Sequence, residues 1–187
     1  MMVEIYGVAG SGKTTYVRKQ KCYKAVKPGF LLKLRTLFFF LIFDSLFFLR
    51  YLFFFTGSNK KKILFTIIFK LRLVEILKDS SPKINRIYDQ GPIYSLCRLL
   101  NKSRPEERKR AADLLDTLIS RINSVFDETI YLRCDAMVAL HRVLKRNTSH
   151  MYKKRDPESV MQDIALWNRN FDYIHSKIHS QVVVSSN

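Results

Sequence analysis

The sequence predicts an α/β protein with a mostly parallel sheet, helices on both faces and a Phe-rich helical insert. Three observations carry that prediction. Residues 3–6, Val-Glu-Ile-Tyr, form a short apolar run that passes directly into Gly7-Val-Ala-Gly-Ser-Gly-Lys-Thr14, giving the order strand, glycine loop, helix. Two later segments, residues 83–89 and 128–135, read as strands that end on Asp89 and Asp135 and are each followed by a helical pattern. Strands that alternate with helices belong to a parallel sheet. Between the glycine loop and the second strand, residues 30–55 hold ten of the 14 phenylalanines.

Residues 7–14 fit GxxxxGK[ST] without a mismatch, the pattern of a phosphate-binding loop. Gly7, Gly10 and Gly12 let the backbone turn so that the amides of the loop, including that of Ser11, point at phosphate oxygens. Lys13 is placed to reach the β- and γ-phosphates, Thr14 to offer its hydroxyl to Mg²⁺, and Thr15 is a spare hydroxyl. The positive end of the following helix faces the same anion. The motif implies a nucleoside triphosphate, ATP in the first instance, with magnesium, and leaves the acceptor open.

Composition bounds the remainder. A chain of 187 residues that is 47% hydrophobic buries one core, so a single domain over residues 1–187 is expected. Lys and Arg number 33 against 16 acids, a net charge of +17, which calls for an anionic partner: polyphosphate, anionic lipid or nucleic acid. The surplus is uneven, since residues 18–79 carry 14 basic residues and only Asp44, Glu75 and Asp79 as acids. Cys22, Cys97 and Cys134 are odd in number, far apart and without CxxC spacing, which fits a reducing cytoplasm and no disulfide or zinc site. No secretory signal is expected, because the loop begins almost at once.

Helix formers run from Thr14 to Lys24, with Arg18, Lys19, Lys21 and Lys24 as a solvated face, and the helix ends before Pro28-Gly29. The Phe-rich run invites a membrane-spanning reading, but Lys33, Arg35, Asp44 and Arg50 interrupt it. Its longest uncharged part before Asp44 is Thr36–Phe43, against the ~20 apolar residues a span needs. Burial within the domain is the leading expectation. A helix on the membrane surface, favoured by Lys60-Lys-Lys62, and an apolar substrate pocket are the alternatives. Gly57-Ser-Asn59 reads as a turn, and residues 63–78 as a helix packed on the insert.

Asp89 ends its strand at a Gln90-Gly-Pro92 turn, where an open parallel sheet presents ligand-binding groups. It is read as the magnesium-side acid, the alternative being a turn-forming Asp. Residues 92–100 suit a short helix, and Ser103-Arg-Pro-Glu106 fits a capping box. Ala111, Leu115, Leu118, Ile122 and Val125 then share one helical face, the pattern of a scaffold helix packed on a sheet. Asp135 is read as the cap of a helix from Ala136 to about Arg146, and as the rival candidate for the magnesium-side acid. Arg142 and Arg146 share a face and are at ease only with an anion or carboxylate between them. Residues 147–156, with His150, Lys153, Lys154 and Arg155, form a basic, lid-like loop. Asp156 caps the last helix, with Pro157 at its first position, and Val160, Ile164, Trp167, Phe171, Ile174 and Ile178 are its core stripe. His175 and His179 lack a third ligand for zinc, and residues 181–184 read as a final strand.

Taken together, the loop at Gly7–Thr14, the strand ending Tyr88-Asp89, the strand–helix from Leu132 to Arg146 with its RxxxR pair and the basic loop up to Arg155 resemble the P-loop nucleoside and nucleotide kinases, in their thymidylate-kinase-like branch. The resemblance implies a P-loop NTPase-type sheet, with an insert of about residues 30–78 in the acceptor-binding region. In that family the strand acid is followed by Arg, and here Gln90 stands in its place. The implied activity is ATP- and Mg²⁺-dependent phosphoryl transfer to a small-molecule acceptor. Lys13, Asp89, Arg142, Arg146 and Arg155 would act on the transferring group, and Thr14 and Asp89 on the metal. The alternative is a P-loop ATPase or nucleotide switch that docks on a membrane surface or nucleic acid through the insert. Nucleic acid is the weaker partner, because no recognisable binding motif interleaves aromatics with positive charge. A cytoplasmic location, peripheral membrane contact and a homodimer complete the expectations.

Overall fold

The computed structural model describes the chain except residues 81–83, 146–150, 179–180 and 185–187, and the side chains of residue 151 and residues 181–184. The first strand, β1 (Met2–Tyr6), is buried along its whole length, as its apolar run requires. It lies at the centre of a five-stranded sheet with β2 (Lys24–Ala25), β3 (Arg86–Asp89), β4 (Glu128–Arg133) and β5 (Gln181–Val184), in the order β2-β3-β1-β4-β5. Every pairing is parallel. The strands that follow β1 in sequence go to one side of it and then to the other. This makes β1 the switch point, and the crevice for a ligand opens at the carboxyl ends of β3, β1 and β4.

Helices cover both faces. Alternate residues Val3, Ile5, Ile87, Ile130 and Leu132 pack on one face against Tyr16 and Val17 of α1 (Lys13–Lys19). Tyr6, Tyr88 and Tyr131 join the larger core on the other face. That core is built with α4 (Ser58–Ser80), α5 (Pro92–Lys102), α7 (Ala112–Val125), α8 (Ala136–Lys145) and α9 (Pro157–His175). Tyr6 stacks on Tyr131 with ring centroids 5.1 Å apart, and Phe171 of α9 closes over both.

Several expectations shift. The first helix stops at Lys19, and Lys24 lies instead in β2, an edge strand too short to show a period-two pattern. The capping box moves by one residue. Arg104 is the N-cap of α6 (Pro105–Arg110), its N–H donates to Glu107 Oε2 at 2.9 Å, and the Ser103 hydroxyl instead donates to the Leu99 carbonyl. Glu107 wins because its carboxylate is also tied to the Thr56 N–H and to Lys60, contacts that Glu106 lacks the register to make. The helix read from the amphipathic pattern breaks at Ala111 into α6 and α7. Its apolar face is buried as expected, but the principal neighbour of α7 is α4. Asp156 caps α9 by accepting from the Ser159 N–H at 2.8 Å.

The Phe-rich run forms α2 (Phe30–Phe39), a π-helical turn (Phe40–Asp44) and α3 (Ser45–Leu52). The interrupting Asp44 is the reason it docks. Asp44 is 3% exposed and accepts from Arg72 at 2.7 Å and Arg121 at 3.0 Å, and both arginines also bridge Glu75. The π turn rotates the chain so that Thr36, Phe40, Asp44, Tyr51 and Phe55 all face inward. Burial therefore holds for one face of the insert and not for the other. Among the described residues no helix is long and apolar enough to cross a membrane.

Candidate functional site

The loop between β1 and α1 has the conformation its glycines were expected to permit, with φ of 147° at Gly7, 89° at Gly10 and 91° at Gly12. Space also enforces glycine. A Cβ on Gly7 would lie 2.5 Å from the Leu132 carbonyl, and one on Gly10 2.4 Å from the carbonyl of Ala139 in α8. Gly12 sits at the N-cap of α1 and, as glycine, supplies no side-chain cap. Lys13 folds back over the loop and donates to the carbonyls of Gly7 at 2.9 Å and Val8 at 2.8 Å. Ser11 is buried, whereas Thr14 and Thr15 are exposed at the start of the helix.

Asp89 closes β3 beside this loop, because the parallel register pairs it with Ile5, two residues before Gly7. Desolvation raises its carboxyl above the ordinary range, and Lys13 pulls in the opposite direction. Gln90 follows in a left-handed conformation with φ 60°, a strained position for a residue with a long side chain.

Two residues missed by the sequence reading hold this turn. Glu4 of β1 is fully buried, with its carboxylate accepting from the N–H groups of Ile93 at 2.9 Å and Tyr94 at 3.3 Å, so it caps α5. Burial pushes its pKa up to about 8 against the pull of Ile93 and of Lys70. Gly91 is required here because a Cβ would lie 2.7 Å from the Glu4 carboxyl carbon. Lys70 of α4 donates to the Gln90 carbonyl at 2.6 Å and to the Ser95 hydroxyl at 2.9 Å, and desolvation lowers its pKa. The available signal was a lone carboxylate inside an otherwise apolar strand. Lys70 lay in a basic stretch with nothing to set it apart.

On the other flank, Asp135 accepts from the N–H groups of Met137 at 2.8 Å and Val138 at 3.3 Å, the cap geometry expected of it. Arg142 donates to the Gly10 carbonyl at 3.4 Å, so α8 brings it onto the loop. Arg146, and residues 147–150 of the lid-like loop, lie outside the described residues. The described part of that loop is a 3₁₀ turn (Met151–Lys154). Arg155 is tied to α9 through the Asp163 carboxylate and the Ser159 hydroxyl. Its guanidinium is thus already paired with a carboxylate of α9. At the carboxyl end of β4 a cleft of about 620 Å³ is bordered by Cys134, Asp135, Asn168, Arg169 and Asp172.

Hard oxygen donors suit Mg²⁺, which takes one or two carboxylates and completes its shell with water and phosphate. The exposed Thr14 hydroxyl and the Asp89 carboxylate fit that requirement. Among the described residues no group of three or more His, Cys, Asp or Glu forms a larger metal cage.

No protein-family model matches the sequence, and no curated protein matches it. Among solved structures, the deoxyadenosine kinase from M. mycoides with bound dATP aligns over 98% of this chain and 91% of its own, at a TM-score of 0.50 and 20% identity. The same enzyme with bound dCTP aligns at 0.48 and 18%, over 98% and 90% of the two chains. The YorR protein from Bacillus subtilis, in complex with phosphorylated GDP, aligns at 0.47 and 15%, over 98% and 85%. The chain thus shares its α/β fold with that dATP-bound deoxyadenosine kinase.

Proposed function

We propose that this protein is an ATP- and Mg²⁺-dependent kinase that phosphorylates a small-molecule acceptor, with nucleosides and nucleotides as the first class to test. One observation carries the reading. The glycine loop with Lys13 and the strand-end carboxylate of Asp89 open at the same edge of the sheet, on adjacent strands held in parallel register. The fold shared with a dATP-bound deoxyadenosine kinase supports it. The thymidylate-kinase-like branch is part of this proposal.

In the transfer, an acceptor oxygen, a hydroxyl that gives its proton to Asp89 or to solvent or else a phosphate oxygen, bonds to the γ-phosphorus, the bond to the β,γ-bridging oxygen breaks, and ADP leaves with that electron pair. The protein positions the reactants and neutralises charge. Lys13 exchanges its contacts with the Gly7 and Val8 carbonyls for the β- and γ-phosphates, and the amides at the start of α1, where glycine supplies no side-chain cap, hold phosphate oxygens. Arg142, already on the loop, offsets charge at the transferring group, and Arg146 is assigned the same role from its spacing. Arg155 joins them only by leaving Asp163. Asp89 either takes the acceptor proton or shares the metal with Thr14. Mg²⁺, when bound, spreads the charge of the β- and γ-oxygens.

The test is a screen of nucleosides, nucleotides, sugars and polyprenols with γ-labelled ATP. Acceptor-dependent label transfer is the expected result. ATP hydrolysis that needs no acceptor would identify the alternative, an ATPase or nucleotide switch. Lys13→Ala should abolish triphosphate binding by calorimetry with an unchanged circular dichroism spectrum, since its ammonium contacts loop carbonyls and packs no core. Unchanged ATP affinity in that variant defeats the nucleotide assignment altogether.

A further inference from the structure

The insert has two apolar faces, and the domain covers only one. Opposite the buried face set by Phe40, Asp44 and Tyr51, the other side of α2 and α3 projects Phe30, Leu31, Phe38 and Leu46 into solvent, with Phe53 just past the end of α3. Their exposures reach 77% at Phe30, 79% at Leu31 and Leu46, and 78% at Phe53. A surface helix normally turns polar residues outward, so a cluster of outward Phe and Leu side chains marks a contact surface.

Charge identifies the occupant. Lys33, Arg35, Arg50 and Lys62 are exposed on the same stretch. Cations also lie against its rings, with the Arg35 guanidinium 5.7 Å from the Phe39 centroid and the Lys61 ammonium 5.8 Å from that of Phe53. The one acid between residues 30 and 62 is Asp44, which is buried and already paired with Arg72 and Arg121. The face is therefore apolar and positive, with no exposed carboxylate of its own to pair with. A second copy placed face to face would set like charges against each other. Phe30, Leu31, Leu46 and Phe53, each more than three-quarters exposed, also suit a partner that yields around them. A fluid, anionic bilayer meets both conditions.

We propose that the outward face of α2–α3 is a docking surface for anionic membranes. Phe and Leu side chains enter the boundary between headgroups and acyl chains, while Lys and Arg meet lipid phosphates and carboxylates. The contact is peripheral, in keeping with the absence of a membrane-crossing helix among the described residues.

The test is co-sedimentation of the full chain with vesicles of phosphatidylcholine alone or with ~30% phosphatidylserine, at ~150 mM salt. Binding to the anionic vesicles should exceed binding to the neutral ones by ~10-fold or more. Phe30→Ser/Phe38→Ser/Phe53→Ser and, separately, Lys33→Glu/Arg35→Glu/Arg50→Glu should each weaken it ~10-fold or more with an unchanged circular dichroism spectrum. Should the triple Phe variant fail to fold, Leu31→Ser/Leu46→Ser tests the same face. Alkaline carbonate should release the bound protein. The proposal is overturned by absent or charge-independent binding, by variants that bind like the parent, or by retention in carbonate. A concentration-dependent dimer in ultracentrifugation that the Phe variant abolishes overturns it too, by assigning the face to a second copy.

Discussion

Two carboxylates close the strands on either side of β1, and their surroundings separate their roles. Asp135 Oδ1 accepts from the amides of Met137 and Val138, whereas the Asp89 carboxyl lies beside Lys13 with its pKa raised by desolvation. Asp89→Asn should lower phosphoryl transfer by ~10²-fold or more with the fold preserved. Asp135→Asn should leave both stability and turnover nearly intact, because an asparagine oxygen caps a helix about as well as a carboxylate. Both are to be compared at saturating ATP and Mg²⁺, and the reverse ranking would move the acid to β4. Glu4 supplies a second prediction. Its folded-state pKa, about 8, lies above the ordinary 4.5, so the folded protein holds the extra proton between those values. The stabilisation is full below about pH 4.5 and is lost as pH rises through about 8. Urea unfolding across that window should show a decline of several kcal/mol, at most ~5 by linkage, that Glu4→Gln lacks. The motif residues were legible from sequence because a phosphate loop is local: three glycines and a lysine at fixed spacing suffice. Glu4 and Lys70 were not, since each acts on a turn 20 or more positions away through burial that no local pattern encodes.

At the level of elements, the insert is held by one buried acid. Asp44 joins the π turn to α4 and α7 through Arg72 and Arg121, with Glu75 completing a four-residue ionic cluster. Removing one partner of a buried ionic group leaves the others uncompensated. Asp44→Asn should therefore cost about 3 kcal/mol in urea unfolding. Amide exchange should rise first in α2 and α3, and β1 should remain protected. A uniform rise across the sheet would mean that the insert is integral to the core. The sequence reading took Asp44 as an obstacle to lipid, which it is, but its partners lie 28 and 77 residues away. The same limit displaced the capping box, where Glu107 prevails over Glu106 through contacts with Thr56 and Lys60.

For the whole molecule, the dominant electrostatic fact is a net charge of +17. Raising salt from ~10 mM to ~150 mM shortens the screening length from ~30 Å to ~8 Å. The thermal midpoint should rise as self-repulsion falls, and ATP affinity should weaken over the same range. A midpoint that falls with salt would show that the ionic clusters outweigh the surplus. The alternation of strands and helices was enough to predict a parallel sheet, because each element's periodicity is written in its own residues. So was the phosphate loop, whose backbone turns depend on glycines within a few positions of each other. Tertiary structure alone decided that β1 is central and that Asp89 stands level with Ile5, since strand register is set between segments more than 80 residues apart. It alone decided that Glu4 turns inward, that Arg155 is claimed by Asp163 and that one face of the Phe-rich helices stays bare. Burial and pairing are properties of what a residue meets after the chain has folded, and no spacing along the chain records them.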